Sequence, residues 1–550
     1  MLNLEINNLK KYFGDRLILD IDNLKVYSED KIGIVGVNGA GKSTLLNILC
    51  ENTEKDEGFI KHYGSYSYIS QLGEPNYNVN DNELCSKFNL KNKTNDNLSG
   101  GEKTRFKIAE AFSKKSSILF ADEPTSNLDI SAVKMFEEMI SKFSGAVMLV
   151  SHDRELLDKV CNKILEIENG KVKLYDGNYS SFIEQRKAER ERKEFEYSEY
   201  IKEKERLEKA AIEIDSKSLS MRKAPKRMGN SEARLHRKMG NQKSKAKLDK
   251  TRKAIYSRIE HLEVKEKVVN VEKTNIDFEA LNKVHSKVAV AGENINKAFG
   301  KRVIFNNAEF EIFSGTKVAL MGDNGSGKTT LIKMILNSEE KIKLSKAIDI
   351  GYFSQDLSIL DEHMTMLKNV MSTSVYNEDF ARLTLSRLLF KREDVYKKVS
   401  VLSGGERVKL SFAKIILSGS NMLILDEPTN YLDLYSIEAL EDVLTDYNGT
   451  ILFVSHDRKF VKKVATDILT IKNHKISTFR GSYDEYLKFI SKPKDINVDI
   501  KNKKMILENK LSEIIGRLSM PGKKDNIEEL DKEYKELLDK ISKLKNEYMN

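Results

Sequence analysis

Short unbroken apolar runs alternate with glycine-rich or acidic turns in two long stretches of this chain. The runs "IGIV" (32–35) and "VALM" (318–321) each end in a glycine-rich turn and pass into a helical pattern. That order of strand, loop and helix is the plan of a phosphate-binding unit. "SILFADEP" (117–124) and "AVMLVSHD" (146–153) have the length and branched apolar character of strands buried on both faces of a parallel sheet. The expected fold class is α/β.

The pattern changes between the two stretches. "EQRKAERERKEFEYSEYIKEKERLEKAAIEI" (184–214) has no Pro or Gly and strong helical propensity, with apolar positions at Phe195, Tyr200, Leu207, Ala211 and Ile214. "SKAKLDKTRKAIYSRIEHLE" (244–263) reads as a returning helix through Leu248, Ile255, Ile259 and Leu262. Pro225, Gly229 and Gly240 break the segment between them, so the pair is expected to form a helical hairpin. In the tail, Leu507, Leu511, Ile514 and Leu518 precede the turn "SMPGKKD", and Leu530, Tyr534, Leu537, Ile541, Leu544 and Tyr548 follow it in heptad steps. That spacing predicts a short antiparallel coiled-coil hairpin.

The chain contains one domain twice. "KIGIVGVNGAGKSTLLNIL" returns as "KVALMGDNGSGKTTLIKMIL", "LSGGEKTRFKIAEAF" as "LSGGERVKLSFAKII", "ILFADEPTSNLD" as "LILDEPTNYLD", and "GAVMLVSHDR" as "GTILFVSHDR". The interval from Glu123 to His152 equals that from Glu427 to His456. The interval from Gln355 to Ser403 exceeds that from Gln71 to Ser99, so the second copy carries a larger helical insert. The expected domains are 1–183, a hairpin linker at 184–263 with its tip near 216–247, a second copy at 264–490, and a tail at 491–550.

Charge sharpens this picture. The chain of 550 residues has a net charge of +9. Residues 216–253 alone hold 14 Lys and Arg against two acids, so the whole basic excess sits on the linker tip. A solvated face needs no chain breakers, whereas a tip that grips a phosphate backbone needs Arg and Lys on a turn. Arg222, Lys223, Lys226, Arg227, Arg234, Arg237 and Lys238 are the expected contacts. Cys50, Cys85 and Cys161 lack metal-ligand spacing and read as small buried hydrophobes in a reducing compartment. No signal peptide and no membrane-spanning run is evident, so a cytoplasmic location is expected.

The chemistry lies in the repeated motifs. "GVNGAGKST" (36–44) and "GDNGSGKTT" (322–330) fit the P-loop pattern. Gly36, Asn38, Gly39, Gly41 and Thr44, with Gly322, Asn324, Gly325, Gly327 and Thr330, let the backbone curl around nucleotide phosphates. Lys42 and Lys328 reach the β- and γ-phosphates, and the hydroxyls of Ser43 and Thr329 suit Mg²⁺. Asp122 and Asp426 end hydrophobic strands, where a carboxylate holds the metal. Glu123 and Glu427 follow them and suit the activation of a water molecule. His152 and His456 are candidates for γ-phosphate contact, and Gln71 and Gln355 for sensing metal and water.

"LSGGE" is the signature of ATP-binding cassette ATPases, and the chain resembles a twin-cassette member. The resemblance implies that the cassettes face each other head to tail with ATP sandwiched between them. One site would join Lys42, Gln71, Asp122, Glu123 and His152 with Ser403, Gly404 and Gly405. The other would join Lys328, Gln355, Asp426, Glu427 and His456 with Ser99, Gly100 and Gly101. Phe13 ("KYFG") and Phe299 ("KAFG") match the aromatic that stacks on adenine. Both sites keep every catalytic residue type, which implies that both hydrolyse ATP.

Tandem cassettes, a charged helical linker and a coiled-coil tail together resemble the ABC-F family. The resemblance implies a monomer that binds the bacterial 70S ribosome in its ATP state. Its linker would enter the exit-tRNA site and touch 23S rRNA and the peptidyl-site tRNA. The stretch "RKAPKRMGNSEARLH" (222–236) looks like the antibiotic-resistance branch, which implies protection of the peptidyl-transferase centre from drugs. A drug-independent translation factor would need the same ATPase and the same tip. An exporter subunit would leave the basic linker without a role, and a DNA-repair ATPase would carry much longer coiled coils.

Overall fold

Each repeat builds its sheet around the strand that feeds its glycine loop. The computed structural model describes residues 1–71, 73–75, 82–88, 90, 98–126, 128–220, 241–262, 286–354, 358–491 and 514. The first repeat contributes β1 (Leu2–Phe13), β2 (Arg16–Tyr27), β3 (Lys31–Val35), β4 (Glu57–His62), β5 (Tyr66–Ile69), β6 (Ile118–Asp122), β7 (Ala146–Val150), β8 (Lys163–Glu168) and β9 (Lys171–Asp176). Their order across the sheet is β4-β1-β2-β9-β8-β3-β7-β6-β5. The run from β5 to β8 is parallel, and β3 lies between β7 and β8.

The second repeat contributes β10 (Val288–Phe299), β11 (Arg302–Phe313), β12 (Lys317–Gly322), β13 (Ile342–Leu344), β14 (Ile350–Phe353), β15 (Met422–Asp426), β16 (Thr450–Val454), β17 (Asp467–Lys472) and β18 (Lys475–Arg480). The order β14-β15-β16-β12-β17-β18 repeats that of the first copy, and β11-β10-β13 forms a separate sheet among the described residues. The expected parallel strands are present because their side chains are buried on both faces. Ile118, Leu119, Phe120, Leu423, Ile424, Leu452 and Phe453 are all fully buried. A nucleotide site belongs at the carboxyl ends of such strands, where β3 and β12 deliver their loops.

The longer interval in the second repeat holds the helices Met366–Met371 and Glu378–Arg387. Their apolar face is buried through Leu367, Val370, Ala381 and Leu385.

The linker is built on a helix of 42 residues, Tyr179–Ser220, and a second, Asn241–Glu260. The first is rooted in the cassette, where Tyr179 and Phe182 are buried and the Phe182 ring lies edge-on to Tyr175 at 5.0 Å. Asp215 accepts from Arg252 Nε at 3.0 Å and Tyr256 Oη at 3.4 Å, and Arg258 Nη2 lies 3.6 Å from Glu203. The pairing order shows that the two helices run antiparallel. The basic tip, with Arg222, Lys223, Lys226, Arg227, Arg234, Arg237 and Lys238, lies outside the described residues, as does the expected coiled coil except for Ile514. A separate unit starts at Gly481 and opens with the helix Tyr483–Ser491, at whose start the Ser482 N–H donates to Glu485 Oε2 at 2.8 Å.

Candidate functional site

The two P-loops are near copies of each other. Each passes directly into a helix, Lys42–Leu49 or Lys328–Leu336, whose N-cap is a left-handed glycine: Gly41 at φ 100° and Gly327 at φ 109°. No other residue fits there, because a Cβ on Gly41 would stand 2.9 Å from Ile18 Cγ2 and one on Gly327 would stand 2.5 Å from Ile304 Cγ2. The unpaired N–H groups of the first helical turn therefore face the loop and form a seat for an anion. Lys42 Nζ donates to the Gly36 carbonyl at 2.8 Å, and Lys328 Nζ donates to the Gly322 carbonyl at 2.8 Å. Burial lowers the pKa of both lysines, so an anion that restores their charge is favoured. Ser43, Thr44 and Thr330 are half-buried beside the loops, whereas Thr329, Asn38, Gly39, Asn324 and Gly325 are exposed.

The carboxylates stand at the ends of β6 and β15. Asp122 is 2% exposed, its Oδ1 has no hydrogen-bond partner among the described residues, and the Ser43 side chain partly offsets the rise that burial gives its pKa. In the second copy Thr329 Oγ1 donates to Asp426 Oδ2 at 3.3 Å. Burial raises the pKa of both aspartates. Glu123 and Glu427 adopt left-handed backbone angles, φ 48° and 52°, which are costly for a residue that carries a Cβ. The sheet holds them there, since the Glu123 N–H donates to the Val150 carbonyl at 2.9 Å and the Glu427 N–H to Val454 at 3.0 Å. That turn aims each glutamate out of the sheet.

His152 Nε2 stands 3.2 Å from Glu123 Oε1, and His456 Nε2 stands 3.2 Å from Glu427 Oε1. Neither contact is an ion pair. Burial, with the nearby lysine, pulls His152 down to about 3 and His456 to about 4, so both rings are neutral. Burial pushes both glutamates up to about 8, within reach of a general base working near neutral pH.

The signature motifs start helices at Gly100–Ser113 and Gly404–Leu417. Ser99 and Ser403 close capping boxes with Glu102 and Glu406, so both helix N-termini are rigidly presented. The second signature is brought to the first P-loop. A Cβ on Gly405 would stand 2.7 Å from Asn38 Nδ2. Asn38 Nδ2 also donates to the Tyr431 carbonyl at 2.7 Å, and the Asn38 N–H donates to Asp433 Oδ2 at 2.9 Å. Across the interface, the charge of Asp433 acts on Lys42 and His152, and that of Asp129 acts on Lys328 and His456. Each P-loop thus lies within reach of a charge from the opposite repeat, and the first also makes direct contacts with it. Tyr431 and Asp433 join the expected residues here, and the repeated "LD" that ends the "DEPT" segment is their signal in the sequence.

The remaining expected residues are more peripheral. Phe13 and Phe299 sit at strand ends, 56% and 58% exposed, free to stack on a flat ring. Gln71 is exposed, and its backbone carbonyl accepts from Lys107 Nζ at 3.2 Å. Gln355 lies outside the described residues. Gly100 and Gly404 are exposed at their helix starts, while Gly101 is buried.

The family model for ABC transporters matches residues 19–126 and 305–430. The chain is 34% identical to the erythromycin resistance ATP-binding protein MsrA of Staphylococcus epidermidis, over 84% of this chain and 96% of that one. It is 31% identical to the ribosome protection protein VmlR of Bacillus subtilis (strain 168), over 98% of each chain. The chain belongs to the ABC-F family of ATP-binding cassette proteins. Like the cassettes of that family, this ABC-F protein is an ATPase, with its two cassettes in tandem. Among solved structures, the archaeal ribosome recycling factor aABCE1, in complex with the stalk protein aP1, aligns with a TM-score of 0.58 at 19% identity, over 88% of this chain and 92% of that one, which shows a shared fold. Among the described residues no helix is long and apolar enough to cross a membrane.

Proposed function

We propose that this ABC-F ATPase protects the large ribosomal subunit from antibiotics that act at the peptidyl-transferase centre. The observation that carries the reading is the match, over 98% of each chain, to a relative named as a ribosome protection protein. A linker rooted in the cassette core supports it. In this reading ATP closes the cassettes, the linker tip reaches 23S rRNA and the peptidyl-site tRNA of a bacterial 70S ribosome, and the drug leaves. Hydrolysis then releases the protein in the cytoplasm. Lincosamides, pleuromutilins and streptogramin A drugs share that neighbourhood.

The residues divide the work as follows. Phe13 and Phe299 stack on adenine. Lys42 and Lys328 bind the terminal phosphates, and Ser403, Gly404 and Gly405, with Ser99, Gly100 and Gly101, close over them from the opposite cassette. The paired hydroxyl and carboxylate of Ser43 and Asp122, and of Thr329 and Asp426, suit a hard cation, and Gln71 and Gln355 complete those settings. Mg²⁺ held there would neutralise phosphate charge. Glu123 and Glu427 take the proton from the attacking water, and the neutral His152 and His456 hold the γ-phosphate side of the site. Loss of that phosphate removes the contact shared by the two cassettes and frees the closed state.

The test is co-sedimentation of the Glu123→Gln, Glu427→Gln double variant with bacterial ribosomes, with and without ATP, followed by drug susceptibility of cells expressing the wild type. ATP-dependent accumulation on ribosomes together with raised resistance is the expected result. Accumulation without resistance would instead support a translation factor that acts on stalled ribosomes. No ribosome binding while ATP still binds would overturn both readings.

A further inference from the structure

The two histidine loops are tied to each other by a crossed pair of buried arginines. Arg154 follows His152 by two positions and is 5% exposed. It crosses to the other cassette, where Nη2 reaches Asp457 Oδ2 at 3.3 Å and both terminal nitrogens bond Glu441. Arg458 follows His456 and is 4% exposed. It crosses in the opposite direction, lying 3.6 Å from Asp153 Oδ2 and 3.1 Å from Glu155 Oε2, and it bonds Glu137.

Each aspartate between histidine and arginine serves two masters. Asp153 Oδ1 accepts from the Glu155 and Leu156 N–H groups, and Asp457 Oδ1 accepts from the Phe460 N–H, so one oxygen fixes its own helix. The other oxygen faces the arginine of the opposite cassette. A shift of one histidine loop therefore moves the carboxylate that the other loop's arginine grips. In an interior with little water such pairs tolerate two discrete arrangements better than a continuum.

We propose that Arg154 and Arg458 are positioning residues that couple the two ATP sites, each reporting the state of one γ-phosphate to the histidine of the other. This rests on the reading that His152 and His456 face the γ-phosphates. The probe is ATP binding to the full chain carrying Glu123→Gln and Glu427→Gln, followed by a fluorescent ATP analogue. Binding is expected to be cooperative, with a Hill coefficient approaching about 2, the number of sites. Arg154→Gln with Glu441→Gln removes the arginine of one crossing together with the glutamate it bonds, and should bring the coefficient close to 1 while both sites still fill. Arg154→Lys should restore part of it.

Non-cooperative binding in the parent, or a coefficient that both paired neutralisations (Arg154/Glu441 and Arg458/Glu137) leave unchanged, would overturn the coupling. A merely structural role would weaken both sites alike and leave the coefficient in place. Separately, turnover unaffected by His152→Ala and His456→Ala would show that the site reading itself is wrong.

Discussion

Asn38 and Asp433 stand 395 positions apart in the chain, yet the Asn38 N–H donates to Asp433 Oδ2 at 2.9 Å. The same aspartate caps its own helix, with Oδ1 accepting from the Ser436 N–H at 2.8 Å. One side chain thus ends a loop in one cassette and steadies the P-loop of the other. Its counterpart Asp129 caps its helix in the same way but gives Oδ2 to Arg105 at 2.7 Å, within its own cassette.

Substitutions at Asp433 should separate those duties. Asp433→Asn retains a cap but has only one acceptor oxygen, so the cross-cassette bond is lost. The ATP concentration for half-maximal turnover should rise roughly fivefold, the equivalent of about one hydrogen bond, with little change in melting temperature. Asp433→Ala should also cost about 1 kcal/mol of stability through the missing cap. Steady-state kinetics and thermal melts on both variants check this.

Gly405→Ala should block close approach at the first site. The added Cβ would lie 2.7 Å from Asn38 Nδ2 and 2.8 Å from the Tyr431 carbonyl, and the carbonyl is backbone that cannot swing away. An increase of about tenfold or more in the ATP requirement is expected, because the lost contacts are worth roughly 1.4 kcal/mol. Nucleotide titration of this variant is the measurement.

Turnover should depend on the ionised form of the two glutamates. With both pushed up to about 8, kcat/KM should climb close to tenfold per pH unit on the acid side and level off above that value. The histidines, at about 3 and about 4, stay neutral and add no limb above pH 5. The Glu123→Gln, Glu427→Gln variant should lose at least ~100-fold in kcat on the plateau above pH 8, with the gap narrowing toward acid pH, while still binding ATP. A pH–rate profile that is flat from pH 6 to 9 would contradict the assignment.

The same shifts bear on stability. The folded values near 8 lie above the ordinary 4.5, so between them the folded chain holds protons that the unfolded chain has released. The contribution is complete below 4.5, declines as pH rises, and is gone above 8. The double Gln variant should therefore melt higher than the parent at pH 8.5, by roughly 5 °C, with the gap closing toward pH 5. Scanning fluorimetry across that range reads it directly.

Much of this architecture is legible in the sequence, because it is local. A glycine pattern that admits only a phosphate-sized turn, an unbroken branched run and a Ser-x-x-Glu box each determine their own few residues. The repeat of "ILFADEPTSNLD" as "LILDEPTNYLD" announced a second copy of the sheet. What stayed hidden depends on how the copies meet. Glu137 and Glu441 occupy equivalent places in their helices and look like solvent-facing acids, since nothing nearby in sequence shows that an arginine from the other cassette covers them. Glu441 is in fact 1% exposed. The left-handed backbone of Glu123 was equally silent, because the strain is borne by β7, not by the residue's own neighbours.

The helix Tyr179–Ser220 also has a mechanical meaning. Its root is locked by Phe182, and its shaft is stiffened by pairs such as Arg192 with Glu196 at 2.9 Å and Lys217 with Glu213 at 2.7 Å. A helix of 42 residues is about 60 Å long. A cassette that turns by about 10° around that root sweeps the far end through about 10 Å, while the root itself moves by less than the width of an atom. The arm has the proportions of a lever, whose far end travels many times farther than its root.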